Sequence, residues 1–273
     1  MHGFLCEITK HRTFREVWIA YGIAAVFLVL FLSTTESISD PRLRWWFVQQ
    51  DIYTYGATLT ALLITVGLPR LFCYEWERKT IGLICTANQG RLVTWRSKAL
   101  FSVLYCALVV MLIGLCSIFV HCSTFSFQGA FEPVSSCVYF KTSDLPPMCN
   151  LGYCALQYGF LFLGALYFAG FILLISVITR HTMRTIVIGG LSFLLCMIYE
   201  YRGDVFPDWI NIVLGNVFRF CFGGFLFQNS FSWSLPNLQG DWSDVWKGVC
   251  FAVAAIVAEY SVLWFLWRRK GRA

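Results

Sequence analysis

Two carboxylates two residues apart, Glu75 and Glu77, are followed by a hydroxyl at Thr80, a guanidinium at Arg91 and an ammonium at Lys98. Ile81, Ile84, Cys85, Asn88 and Leu92 fall between them at helical spacing, so the stretch reads as an amphipathic helix lying along a membrane surface. A structured, charged helix of this kind suits a docking surface. The plainer reading is a solvated basic loop that serves topology alone. Catalysis fits poorly. The chain has no G-x-x-x-x-G-K-[ST] to cradle phosphates, no H-E-x-x-H, no G-x-S-x-G and no pair of intramembrane carboxylates. Its four His are scattered and none of its 12 Cys forms a C-x-x-C pair, so neither an enzyme nor a metal site is expected.

Composition indicates what must position these groups. Of 273 residues, 58% are hydrophobic and only 13% charged, and mean hydropathy is +0.65. A soluble domain carries about 25% charged residues. The expected class is therefore an all-α polytopic membrane protein, forming a single transmembrane domain over 1–273. The net charge of +6 reflects basic cytoplasmic loops and does not point to nucleic acid. No signal peptide is expected, because the first apolar run follows Lys10, Arg12 and Arg15 and lacks a small-residue cleavage site.

Apolar runs predict spans at about 17–34, 53–74, 99–120, 151–179, 185–200 and 247–267. A short interfacial helix over 1–16 leads into the first, and Trp45, Trp46 and Phe47 read as an aromatic anchor. Pro69 should kink the second span, and Gly152, Gly159, Gly164 and Gly170 should let the fourth pack centrally. Residues 209–227 are apolar but contain Arg219 and Gly223-Gly224, and read as a re-entrant or outer-leaflet hairpin. Six crossings with both termini in the cytoplasm leave most of the 21 Lys and Arg inside. Cys137 and Cys149 share a polar loop, and whether they pair cannot be read from spacing.

Glu259 is the one unmistakable ionisable residue within a span. It is either a pathway or coupling residue or a carboxylate paired with a neighbouring span that fixes helix packing, and Arg219 either stabilises the hairpin or lines an outer vestibule.

The acidic end of the second span, Glu75-x-Glu77, then Thr80, an apolar stretch, Arg91 and Lys98 resembles the permease subunits of ABC-2 type transporters. The order of whole-chain features resembles that family over essentially its full length. Lys79 stands where the family usually has Gly, and Ala87-Asn88 lacks its Pro. The resemblance implies that residues 75–98 carry a coupling helix for a separate ABC ATP-binding subunit, which would hold ATP and Mg. It further implies a second permease chain, as homodimer or heterodimer, in the plasma membrane. Glu75, Glu77, Thr80, Ile81, Ile84, Arg91 and Lys98 would form the joint. The implied activity is ATP-driven export of a peptide, antibiotic, lipid-like or other amphiphilic substrate. The alternative is a secondary transporter or channel independent of an ATPase.

Overall fold

The computed structural model describes residues 2–33, 45, 48, 51, 55–86, 90–125, 127–134, 148–202, 207 and 242–270. The proposed hairpin with Arg219, Cys137, and Trp46 and Phe47 lie outside these. The described residues are helical, joined by short turns and one isolated β-bridge between Pro133 and Cys149.

In chain order the helices are α1 (His2–Arg12), α2 (Arg15–Ser33), α3 (Ala57–Gly67), α4 (Arg70–Glu77), α5 (Ile81–Thr86), α6 (Gly90–Phe125), α7 (Asn150–Thr179), α8 (Thr182–Arg202) and α9 (Trp242–Lys270). Three described helical stretches are long and apolar enough to cross a membrane: Ala57–Glu77, Gly90–Cys122 and Asn150–Thr179. A fourth results if α1 and α2, bent by 68° at Thr13-Phe14, are taken as one broken span. The chain is thus a membrane-embedded helical protein.

α7 is the central element. Helices α3, α4, α6, α8 and α9 all pack on it, and Leu161, Ala165, Phe168, Ile172 and Leu173 are buried there. Of its small residues, Gly164 is buried and Gly170 lies against Glu259 of α9. A Cβ at Gly159 would meet open space, and one at Gly152 would meet only the Cys149 thiol. Only half of the glycine pattern therefore reports close packing. Cys149 is a free thiol that occupies the N-cap position of α7, its sulfur accepting from the Gly152 N–H at 3.4 Å.

The second span breaks where Pro69 predicts, between α3 and α4. The surface helix, by contrast, is shorter than its spacing suggests. α5 ends at Thr86, and Leu92 and Lys98 belong to α6, the third long helix. Packing on α9 explains this: the Trp95 and Trp264 rings stand 5.3 Å apart, and Trp267 Nε1 donates to the Arg91 carbonyl at 3.4 Å. Amphipathic spacing alone cannot tell one long surface helix from a short helix followed by the start of a span.

At the far end of α6 from Lys98, Ser117 Oγ donates to Asp51 Oδ2 at 2.5 Å, and His121 Nε2 lies 2.8 Å from the same oxygen. All three residues are buried, so this polar group ties the segment before α3 to α6. Trp45 does not present its ring outward, as an anchor in the headgroup layer would. It is buried, and its indole N–H donates to the Gln128 carbonyl.

Candidate functional site

Residues 70–86 form a knuckle whose shape comes from one turn. The N–H groups of Arg78, Lys79 and Thr80 return to the carbonyls of Tyr74, Trp76 and Glu75 at 2.9, 3.1 and 3.0 Å. Lys79 sits in the left-handed region, at φ 55°. This is the Schellman termination, in which the left-handed residue is usually glycine. A side chain at that position costs roughly 1–2 kcal/mol. Lys79→Gly should therefore raise stability by about 1 kcal/mol, seen as a higher thermal unfolding midpoint in detergent; a lower midpoint would contradict the turn assignment.

The turn places Thr80 beneath Glu75, and Thr80 Oγ1 donates to Glu75 Oε2 at 2.7 Å. The other carboxylate oxygen, Oε1, accepts from Lys10 Nζ at 2.8 Å and from Lys98 Nζ at 3.1 Å. Glu7 closes the circuit, with Oε1 3.1 Å from Lys10 Nζ and Oε2 3.4 Å from Lys98 Nζ. Two acids and two ammonium groups thus alternate in a neutral ring assembled from α1, α4 and α6.

Burial makes the ring consequential. Glu75 is 3% exposed, Glu7 5% and Lys98 0%. Lys98 also donates to the Leu71 carbonyl, and its ammonium lies 5.4 Å from the centre of the Phe72 ring. Burial works to lower the pKa of half-buried Lys10, but hydrogen bonds and charge from Glu75 and Glu7 outweigh it and leave the value raised. Lys10 accordingly stays cationic throughout the physiological range. Breaking such a pair is costly because it strands a charge in a poorly solvated place.

Glu77 points elsewhere. Its Oε1 accepts the N–H of Thr182, the first residue of α8, at 2.8 Å. A carboxylate there satisfies an orphan helix donor and complements the helix dipole. Beside it Arg180, left-handed at φ 59°, places its guanidinium 4.2 Å from the centre of the Trp76 ring. Together these contacts pin the α7–α8 turn to the end of α4. Glu77→Ala should cost about 1 kcal/mol, the size of a lost helix cap. Hydrogen exchange at the first turn of α8 should rise; unchanged exchange would rule out the cap.

Of the residues singled out from sequence, Glu75, Thr80 and Lys98 meet in one cluster. Glu75 and Lys98 are satisfied inside the chain, so neither presents its charged group outward, in contrast to the outward contact expected of Glu75. Ile81 and Ile84 pack against the core, while Gly82, Leu83 and Thr86 are exposed, Leu83 by 73%. Arg91 lies on the first turn of α6, apart from the ring. Glu259 is distant in the fold, on α9 against Gly170, with Tyr167 as a hydrogen-bonding neighbour.

Glu7 and Lys10 are the site residues that sequence reasoning missed. Their signal is an opposite-charge pair at i,i+3 on a helix whose Phe4 and Ile8 pack against the core. Gly3 is a second signal. A Cβ there would stand 2.6 Å from Ser97 Oγ, so glycine permits α1 to approach α6 closely enough for the ring to close.

No protein-family model, curated protein or solved structure matches the chain.

Proposed function

We propose that the chain is the permease subunit of an ABC-2 type transporter, powered by ATP hydrolysis on a separate subunit. The observation that carries this reading is the knuckle of residues 70–86. A short helix, α5, presents an exposed apolar tip at Leu83 and is braced from behind by a ring of four charges, three of them buried. A loop kept only for topology has no use for such bracing. A lever that transmits force does.

In this reading α1 lies at the cytoplasmic surface of the plasma membrane. The six crossings are α2, α3 with α4, α6, α7, α8 and α9, and both termini are cytoplasmic. α5 is the coupling helix, and Leu83 enters a cleft on the ATP-binding subunit. Glu77 and Thr182 carry its displacement to α8, and the ring carries it to α1 and α6. A second permease chain covers an exposed apolar stripe on α8 formed by Val187, Leu191, Leu194 and Ile198. The transported molecule is an amphiphile that passes between the two permease chains.

Leu83→Asp tests the joint. The substitution should release the ATP-binding subunit on affinity purification from native membranes and leave the permease's unfolding midpoint unchanged. Retention of that subunit by the variant, or its absence from the parent preparation, would defeat the assignment.

Glu259 favours a second reading, a secondary transporter or channel, because a carboxylate between α7 and α9 is placed as a coupling group would be. That reading requires transport driven by an ion gradient without ATP, and its loss in Glu259→Gln.

A further inference from the structure

An apolar groove runs between α2, α3 and α6, with a volume of about 430 Å³. Its floor includes Ala24, Leu63, Val109 and Ile113, all buried. Its rims include Ala25 and Val29 on α2 and Leu112 and Phe119 on α6, all exposed. The mouth therefore lies between two apolar helix faces, one continuing through Ile23 and Val26 and the other through Leu108 and Leu115. In a membrane-embedded chain such faces meet hydrocarbon, and so does an opening between them.

We propose that this groove binds one acyl chain of a bilayer phospholipid. Size and chemistry select this occupant. A cavity of roughly 150 Å³ accommodates the six carbons of benzene, so at the same filling this groove takes about 17 carbons, the size of one lipid tail. From Tyr21 to Val29 it follows α2 for about 12 Å at 1.5 Å per residue. A helix of that length and about 10 Å across would fill roughly 900 Å³, so a segment of a second copy does not fit inside. Among the described lining residues only the Tyr21 hydroxyl and the Cys116 thiol are polar, too few partners for an ion, a sugar or a peptide backbone. An empty groove forfeits dispersion contacts along its walls, and a tail restores them.

The groove also separates two elements with different supports. α2 packs chiefly on α3, and its foot is pinned by Glu16 Oε1, 2.7 Å from Arg70 Nε. A bound tail is the wedge that completes the contact of α2 with α6. The inference is independent of the ATP-driven reading, since it uses only the membrane location and the shape of the groove.

The full chain would be reconstituted into phosphatidylcholine vesicles doped with a phospholipid that carries a diazirine midway along one acyl chain. After illumination, labelled positions would be mapped by peptide mass spectrometry. Label should concentrate at the groove, from Ala24 to Val29 and around Leu112 and Phe119, over Leu104 and Leu108, which are exposed on α6 outside it. Ala25→Phe, which fills the groove from an exposed rim, should lose the groove label and keep that at Leu108. Leu112→Trp, which fills it from the opposite rim, should do the same. The retained label at Leu108 reports that each variant is folded and inserted. Equal labelling of groove and Leu108 in the parent, or groove label that survives both substitutions, would overturn the site. So would groove residues cross-linking to a second copy in place of lipid.

Discussion

Replacing Lys98 with alanine is expected to cost about 3–5 kcal/mol, the range for removing one partner of a buried ion pair. The thermal midpoint in detergent should fall by roughly 10 °C, since 1 kcal/mol moves a domain of this size by a few degrees. Lys98 has no solvent to replace it, being wholly buried, and it is shared by Glu7, Glu75 and the Leu71 carbonyl. Its loss leaves two carboxylates facing one ammonium. A compensated variant isolates the charge from the packing. Glu75→Gln combined with Lys98→Met removes one charge of each sign and leaves the Glu7–Lys10 pair intact, so it should recover most of the loss. A Lys98→Ala midpoint within about 1 °C of the parent would show that the ring does not hold α1, α4 and α6 together.

Substituting valine at Gly170 is the second large perturbation. The carboxylate of Glu259 lies where a Cβ would be built, and the Tyr260 ring is 3.3 Å from the same point. Overpacking of this kind costs about 1–3 kcal/mol. The strain should appear between α7 and α9 and reach α6, where Ser102 Oγ meets the Tyr260 hydroxyl at 2.8 Å. Glu259→Ala in the same chain should relieve much of it, because neighbours that share one space are not additive. Full additivity of the two substitutions in thermal unfolding would mean that they do not touch.

How legible these features were depends on the range of the interaction. The fourth span was expected over 151–179 and is Asn150–Thr179, because an uncharged apolar run with a terminating basic turn is a local signal. Thr182–Arg202 exceeds its expected 185–200 at the start, where a tertiary contact, the Glu77 carboxylate, satisfies the first N–H. That Leu92 belongs to α6 and not to α5 was hidden for the same kind of reason. Leu92 continues the spacing of Ile81 and Ile84, but Trp95 and Arg91 are held by α9.

At the site, the acidic patch and Lys98 were visible as residue types, and their direction was not. Carboxylates near a surface look alike whether they face a partner or an internal ammonium. Glu75 is decided by Lys10, which is 65 positions away along the chain. The left-handed turn at Lys79 was concealed because lysine occupies a place where glycine would have announced it.

The central claim is that α5 is a joint to an ATP-binding subunit, and photo-crosslinking at its tip tests that most directly. A photoreactive residue replacing Leu83, 73% exposed at the apex of the knuckle, would be activated in native membranes. Every adduct would then be identified by mass spectrometry. The account predicts a single protein adduct, to a chain bearing a G-x-x-x-x-G-K-[ST] motif, formed from the cytoplasmic side and lost when a matching residue at Arg96 on α6 is used instead. Adducts only to lipid, or reaction of position 83 with a membrane-impermeant reagent added outside intact cells, would contradict it.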